Sequence, residues 1–262
     1  MRLAVFTDTH QAPPGVTVQG IDTAERLGRC VAAVNSLAPD ADVTVVMGDL
    51  VEHFLPEAYA TLVEGLRPLA MPVRLMMGNH DERAMLRAAW PALDDDGAGF
   101  AQAAIQHADG VVLLLDTSEA GTHEGAYCAA RQAWLRHQLE AAGEKPVLVC
   151  MHHPPMALGT WSDRSRQRDH AALGDILAGS GKVRHILAGH THRACSGTWR
   201  GIGYTVLHGI GPQNVLRWGS EARPDAQDGP AHVAIVDFLG GDVRVHVTDV
   251  TGHHRSWSRP GA

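Results

Sequence analysis

Seven residues have types and neighbours suited to gripping cations: Asp8, His10, Asp49, Asn79, His152, His190 and His192. They fall in five short groups, Asp8-x-His10, Gly48-Asp49, Gly78-Asn79-His80-Asp81, Met151-His152-His153-Pro154-Pro155 and Gly189-His190-Thr191-His192. Two carboxylates, one carboxamide and four imidazoles, with no thiolate, suit Mn, Fe, Co or Zn used to activate water. Two such cations held about 3.5–4 Å apart need a carboxylate between them, because their repulsion must be partly neutralised. Asp49 is the best candidate for that bridge. Gly48, Gly78 and Gly189 stand beside the groups, where a missing Cβ allows a sharp turn and close approach of side chains. Taken singly, an aspartate at a strand end caps a turn and a His-His pair belongs to the surface. The joint pattern outweighs those plainer readings.

The elements around these groups explain how they can meet. Short apolar runs at residues 2–7, 42–47, 73–77, 111–115, 146–151 and 183–187 read as strands. Between them lie helical patterns, one opened by Asp22 and Glu25 with Ala24, Leu27, Val31 and Val34 on its apolar face, one opened by Pro56 with Leu62 and Leu66, and one centred on Trp134, Leu135 and Leu139. Residues 203–207, 232–238 and 243–247 read as strands without helices between them, and Gly240-Gly241 predicts a hairpin turn. Five of the strands end on one of the five groups. In layered α/β folds, ligands gather beyond the carboxyl ends of strands, so groups far apart in sequence can converge.

In order and composition the five groups resemble those of the calcineurin-like metallophosphoesterases. Met151-His152-His153-Pro154-Pro155, Asp116-Thr117-Ser118 and the Trp134-Leu135 helix are similar to the bacterial branch of glycerophosphodiesterases and class III cyclic-nucleotide phosphodiesterases. The resemblance spans nearly the whole chain and implies a four-layer α/β/β/α sandwich with two central mixed sheets. It implies one cation on Asp8, His10, Asp49 and His192, and a second on Asp49, Asn79, His152 and His190. His80 would stand outside that shell beside the phosphate, and with Asp49 it is the expected catalytic residue. The expected reaction is attack of a metal-bound hydroxide on a small phosphodiester, a glycerophosphodiester or a 3',5'-cyclic nucleotide. A phosphomonoesterase or nucleotide-pyrophosphate hydrolase would use the same ligands, and a noncatalytic scaffold is disfavoured because no ligand has decayed. Relatives of this kind form dimers or larger assemblies, and residues 193–215 are the expected contact between copies.

Bulk properties set limits on this. With 262 residues and 45% hydrophobic content, one domain over 1–262 can bury a sizeable core. A net charge of -7 argues against a nucleic-acid polymer as partner but not against small anions, since two divalent cations add about +4 locally. Cys30, Cys128, Cys150 and Cys195 form no Cys-x-x-Cys pair and read as buried thiols of a reducing compartment. The apolar start stops at Asp8, too short for a signal peptide, and no run approaches a membrane span, so a cytoplasmic enzyme is expected. Of the 17 histidines, His107, His137, His185 and His246 read as surface residues and His153 as structural. His53, His208 and the basic loop of Arg164, Arg166 and Arg168 remain open between cleft and rim.

Overall fold

A computed structural model of the chain describes residues 1–219 and 221–252. The last ten residues of the single domain expected over 1–262 lie outside the described residues. In chain order the elements are β1 (Arg2–Phe6), α1 (Thr23–Leu37), β2 (Val43–Met47), α2 (Pro56–Leu66), β3 (Val73–Met76), α3 (Arg83–Ala89), β4 (Ala103–Gln106) and β5 (Val111–Leu115). There follow α4 (Ala129–Ala141), β6 (Val147–Met151), a 3-10 helix (Trp161–Ser165), α5 (His170–Gly179) and β7 (Val183–Ala188). The last part is β8 (Cys195–Trp199), β9 (Ile202–Val206), β10 (Gln213–Asn214), β11 (Ala226–Gln227), β12 (His232–Leu239) and β13 (Asp242–Asp249).

Two mixed sheets form the centre, one in the order β13-β12-β1-β2-β3 and one in the order β4-β5-β6-β7-β9-β8. Side-chain alternation along each strand assigns its two faces. In β1, Ala4 and Phe6 pack with α1, α2 and α3, whereas Leu3 and Val5 face the other sheet. In β5 and β6, Val111, Leu113, Leu115, Val147, Val149 and Met151 pack with α4 and α5. Val112, Leu114, Leu148 and Cys150 turn inward to meet Val45, Met47 and Phe238. Strands covered on both faces have no reason to carry a polar face, which is why β2, β5 and β6 are buried throughout. The result is the four-layer sandwich expected from the resemblance.

Local signals behave as their chemistry requires. Asp22 caps α1 by accepting from the Glu25 amide at 2.9 Å, while the Glu25 carboxylate turns away to pair with Arg29. Gly240 and Gly241 both adopt positive φ, +58° and +91°, as a two-residue hairpin needs to join β12 and β13. The stretch 193–215 holds β8, the edge strand of the six-stranded sheet, with Ser196, Gly197 and Thr198 exposed. The cysteines meet expectation only in part: Cys30 and Cys150 are buried and Cys195 is half-buried, but Cys128 is exposed at the start of α4. No helix among the described residues is long and apolar enough to cross a membrane.

Leu148 is fully buried between the sheets. Leu148→Ala is expected to lower the unfolding free energy by about 2–5 kcal/mol, read from urea denaturation, and a loss below about 1 kcal/mol would contradict a sealed inter-sheet layer.

Candidate metal centre

The parallel strands β1, β2 and β3 of one sheet and β5, β6 and β7 of the other run their carboxyl ends to the same edge of the sandwich. Backbone hydrogen bonds then lash the loops beyond them together. The Asp8 amide donates to the Gly48 carbonyl at 3.0 Å, His10 to Asp49 at 3.0 Å, Gly189 to His152 at 3.1 Å and Gly211 to Asp8 at 3.0 Å. Asp81 adds a side-chain tie, accepting from the Leu50 amide at 3.0 Å and the Gly78 amide at 2.8 Å. Burial, followed by the neighbouring Asp49, raises Asp81 to about 7.

Asp8, His10, Asp49, His190 and His192 all have positive φ, between +42° and +70°, a region most non-glycine residues avoid. Each such residue costs about 1–3 kcal/mol unless its surroundings hold it, and such strain concentrates at functional sites. The glycines act as expected. A Cβ on Gly78 would lie 2.2 Å from Asp49 Oδ1 and 2.8 Å from His152 Nε2, and one on Gly189 would lie 2.6 Å from Asp8 Oδ2. Only a residue without a side chain lets these groups converge.

Asp8, His10, Asp49 and His192 are brought together so that one donor atom from each lies within 4.8 Å of the others. His10 Nε2 and His192 Nε2 are 3.0 Å apart, and His192 Nε2 is 3.4 Å from Asp8 Oδ1. Asp49 divides its oxygens: Oδ2 lies 3.7 Å from His10 Nε2, whereas Oδ1 lies 3.3 Å from His152 Nε2. On that second side His152 and His190 group with His153. Asn79 Oδ1, His152 Nε2 and His190 Nδ1 are buried there without hydrogen-bond partners. A bare buried polar atom costs about 1–3 kcal/mol, so three of them from one expected ligand set mark a place that a cation would satisfy.

Hydrogen bonds at the far ring nitrogens fix which lone pair faces inward. His10 Nδ1 donates to Glu52 Oε2 at 2.7 Å, His152 Nδ1 to the Met47 carbonyl at 2.8 Å, and His192 Nδ1 to the Pro212 carbonyl. His190 is reversed, with Nε2 on Ser165 Oγ at 2.9 Å. Burial alone would raise the Asp49 carboxyl, but His152, and then His10 and His80, hold it well below the usual range. Burial pulls His152 down and Asp49 overrides it, raising that ring to about 9. Burial and the charge of His152 depress His190 to about 3, which keeps it neutral and suited to ligation. The donor set therefore fits two cations of the borderline class that share Asp49.

A cleft of about 510 Å³ opens above these groups, lined by His10, Asp49, Asn79, His190 and His192 and by residues with no part in the ligand set. His80 lines it too. Its amide donates to Asp49 Oδ1 at 2.8 Å and its Nδ1 to the Glu52 carbonyl at 3.0 Å. Glu52, His123 and Ser165 also line the cleft, and sequence reasoning missed all three. Only Glu52, three residues past Asp49, gave a hint by proximity. His153 is fully buried and hydrogen-bonds Thr117 Oγ1 at 2.8 Å, which gives the Asp116-Thr117-Ser118 motif a structural role. His53 is exposed and does not line the cleft. His208 is buried behind the cleft, against Gln213 and the His232 ring. The side chains of Arg164, Arg166 and Arg168 do not line it. His137 and His246 are exposed as expected, but His185 is half-buried in β7 and bonds Thr205 at 3.0 Å.

The calcineurin-like phosphoesterase family model matches residues 1–194. A probable cyclic nucleotide phosphodiesterase of Rhodopseudomonas palustris is 36% identical over 242 residues, covering 90% of this chain and 88% of its own. A glycerophosphodiester phosphodiesterase of Enterobacter lignolyticus is 34% identical over 199 residues, covering 73% of this chain and 71% of its own. A dimetal phosphatase from Danio rerio shares the fold at a TM-score of 0.73, covering 96% of each chain at 16% identity. The strand-end groups, the shared sandwich and these matches together establish that the chain belongs to the calcineurin-like phosphoesterase family.

Proposed function

We propose that the chain is a dinuclear-metal phosphodiesterase acting on small diesters. In this reading Asp8, His10, Asp49 and His192 hold one cation and Asp49, Asn79, His152 and His190 the other. The observation that carries it is the division of Asp49, whose two oxygens face opposite ligand groups on the floor of one cleft. When bound, two such cations lower the pKa of a water and offset charge on phosphate oxygens.

The chain's own residues supply orientation. Glu52 accepts from His10 Nδ1 through its carboxylate and from His80 Nδ1 through its carbonyl, so it aligns a ligand and the phosphate-side histidine together. With Nδ1 engaged, His80 Nε2 is the nitrogen left for a substrate oxygen, and in the protonated ring it donates to the departing alkoxide. A diester is favoured over a monoester by charge. Among the described residues Arg223 is the one Lys or Arg side chain lining the cleft, where Glu52 and Asp225 also stand, so beyond the proposed cations the walls add little positive charge for the second charge of a monoester dianion. Two similar relatives, at 36% and 34% identity, carry diesterase names.

Chelated protein reloaded with Mn, Fe, Co or Zn should hydrolyse an aryl phosphodiester, cyclic AMP or glycerophosphodiesters in preference to an aryl monoester, and lose that activity on chelation. Turnover of the monoester alone would sink the diesterase reading. His80→Ala should lower kcat by about 10²–10⁴-fold while elemental analysis still finds both cations. An unchanged kcat would remove His80 from the reaction.

A further inference from the structure

Part of the cleft has no role in holding cations. The 3-10 helix contributes Trp161, Ser162 and Ser165 to one wall, and Ser165 ties that wall to the metal floor through His190. The ribbon of β10 and β11, with the loop between them, contributes Asn214, Arg223, Pro224, Asp225 and Ala226. The two segments are fastened to each other. Thr160 pairs with Trp218 in an isolated bridge, and the Gly219 amide donates to the Gly159 carbonyl at 2.9 Å. Above that fastening, the Arg223 guanidinium carbon lies 5.5 Å from the centroid of the Trp161 ring. Asp225 is taken by Arg217 at 3.4 Å, and Arg223 makes no ion pair among the described residues. An indole and an uncommitted guanidinium therefore share one end of a cleft whose floor is the reaction centre.

We propose that Trp161 and Arg223 form a subsite that selects phosphodiesters bearing a planar aromatic group, a nucleobase above all, over diesters whose arms are aliphatic alcohols. The proposal rests on the hydrolase reading above and deepens it. An indole offers a π face on which any base can stack, and a guanidinium stacks and adds a cation to the same platform. Glycerol and its head groups present no π face, and their hydroxyls are as well satisfied in water. Losing an aromatic partner costs about ten- to a hundredfold in affinity per stacked base. If Trp161 and Arg223 served only to pin the loop, their removal would affect all substrates alike.

The test compares kcat/KM for cyclic AMP and for glycerophosphoethanolamine in the metal-loaded full chain and its variants. Trp161→Ala should lower the cyclic AMP to glycerophosphoethanolamine ratio about tenfold or more, chiefly through KM, with Trp161→Phe retaining most of the ratio and Arg223→Ala losing part of it. Equal losses on both substrates, or an unchanged ratio in Trp161→Ala, would overturn the subsite. If Trp161→Ala does not fold, Trp161→Leu fills the space without a π face and is read in the same way. If the wild-type chain hydrolyses no diester, the hydrolase reading fails on its own account. The subsite is then judged by calorimetric binding of adenosine monophosphate against glycerol 3-phosphate. A preference for the nucleotide that disappears in the Trp161 variant supports it, and equal binding of the two in the wild-type chain refutes it.

Discussion

The arrangement depends on one carboxylate serving two sides. Asp49 Oδ1 lies 3.3 Å from His152 Nε2 and Oδ2 lies 3.7 Å from His10 Nε2, so one carboxylate faces both the group carried by β1 and the group carried by β6. Two cations a few ångströms apart repel strongly in a poorly solvated place, and a shared anion is what makes such a pair tolerable. Everything near Asp49 follows from bringing it that close. Gly78 has no side chain because one would collide with Asp49 Oδ1 at 2.2 Å, and Gly48 at φ +89° turns β2 so that the carboxylate enters the cleft.

The sandwich supplies the rigidity that this convergence requires. Five of the proposed ligand residues occupy the left-handed region, a conformation that a loose loop would relax out of. They persist because their loops are hydrogen-bonded to one another and because Asp81 ties the end of β2 to the end of β3. Behind the loops stand two sheets whose facing residues, Leu3, Val5, Met47, Leu114, Leu148 and Phe238 among them, are almost wholly removed from water. Burial of that layer fixes the strand ends, and the strand ends fix the donors. The far-side hydrogen bonds of His10, His152 and His192 complete the arrangement by presetting the tautomer each ring offers.

Much of this was legible in the sequence for identifiable reasons. Strands buried on both faces read as apolar runs, so β1, β2, β5 and β6 stood out, while β7 showed only through its apolar second half, and each proposed ligand group was visible because it follows such a run with chemistry that packing does not need. Elements with weak signals were not legible. Strand β4 is a short edge strand with partly exposed residues, α3 lasts seven residues, and α5 lies in an Ala/Gly-rich stretch with little amphipathic contrast. Strand β8 is a polar edge. Residues whose roles exist only in three dimensions were equally hidden. Ser165 matters because it reaches His190, and Trp161 because a loop some sixty residues later lays Arg223 against it. His208, whose type and setting left its role open, packs against Gln213 and does not line the cleft.

In the proposed reading, the strand-end groups set the reaction and the surrounding loops set the substrate. The shared carboxylate is the part on which both rest. Electron paramagnetic resonance of the chelated chain reloaded with Mn(II) tests it most directly. Two ions per chain with the spectrum of a spin-coupled pair are predicted, with the coupling lost in Asp49→Asn. Binding of a single ion, or of two magnetically independent ions in the wild-type chain, would contradict a centre bridged by Asp49.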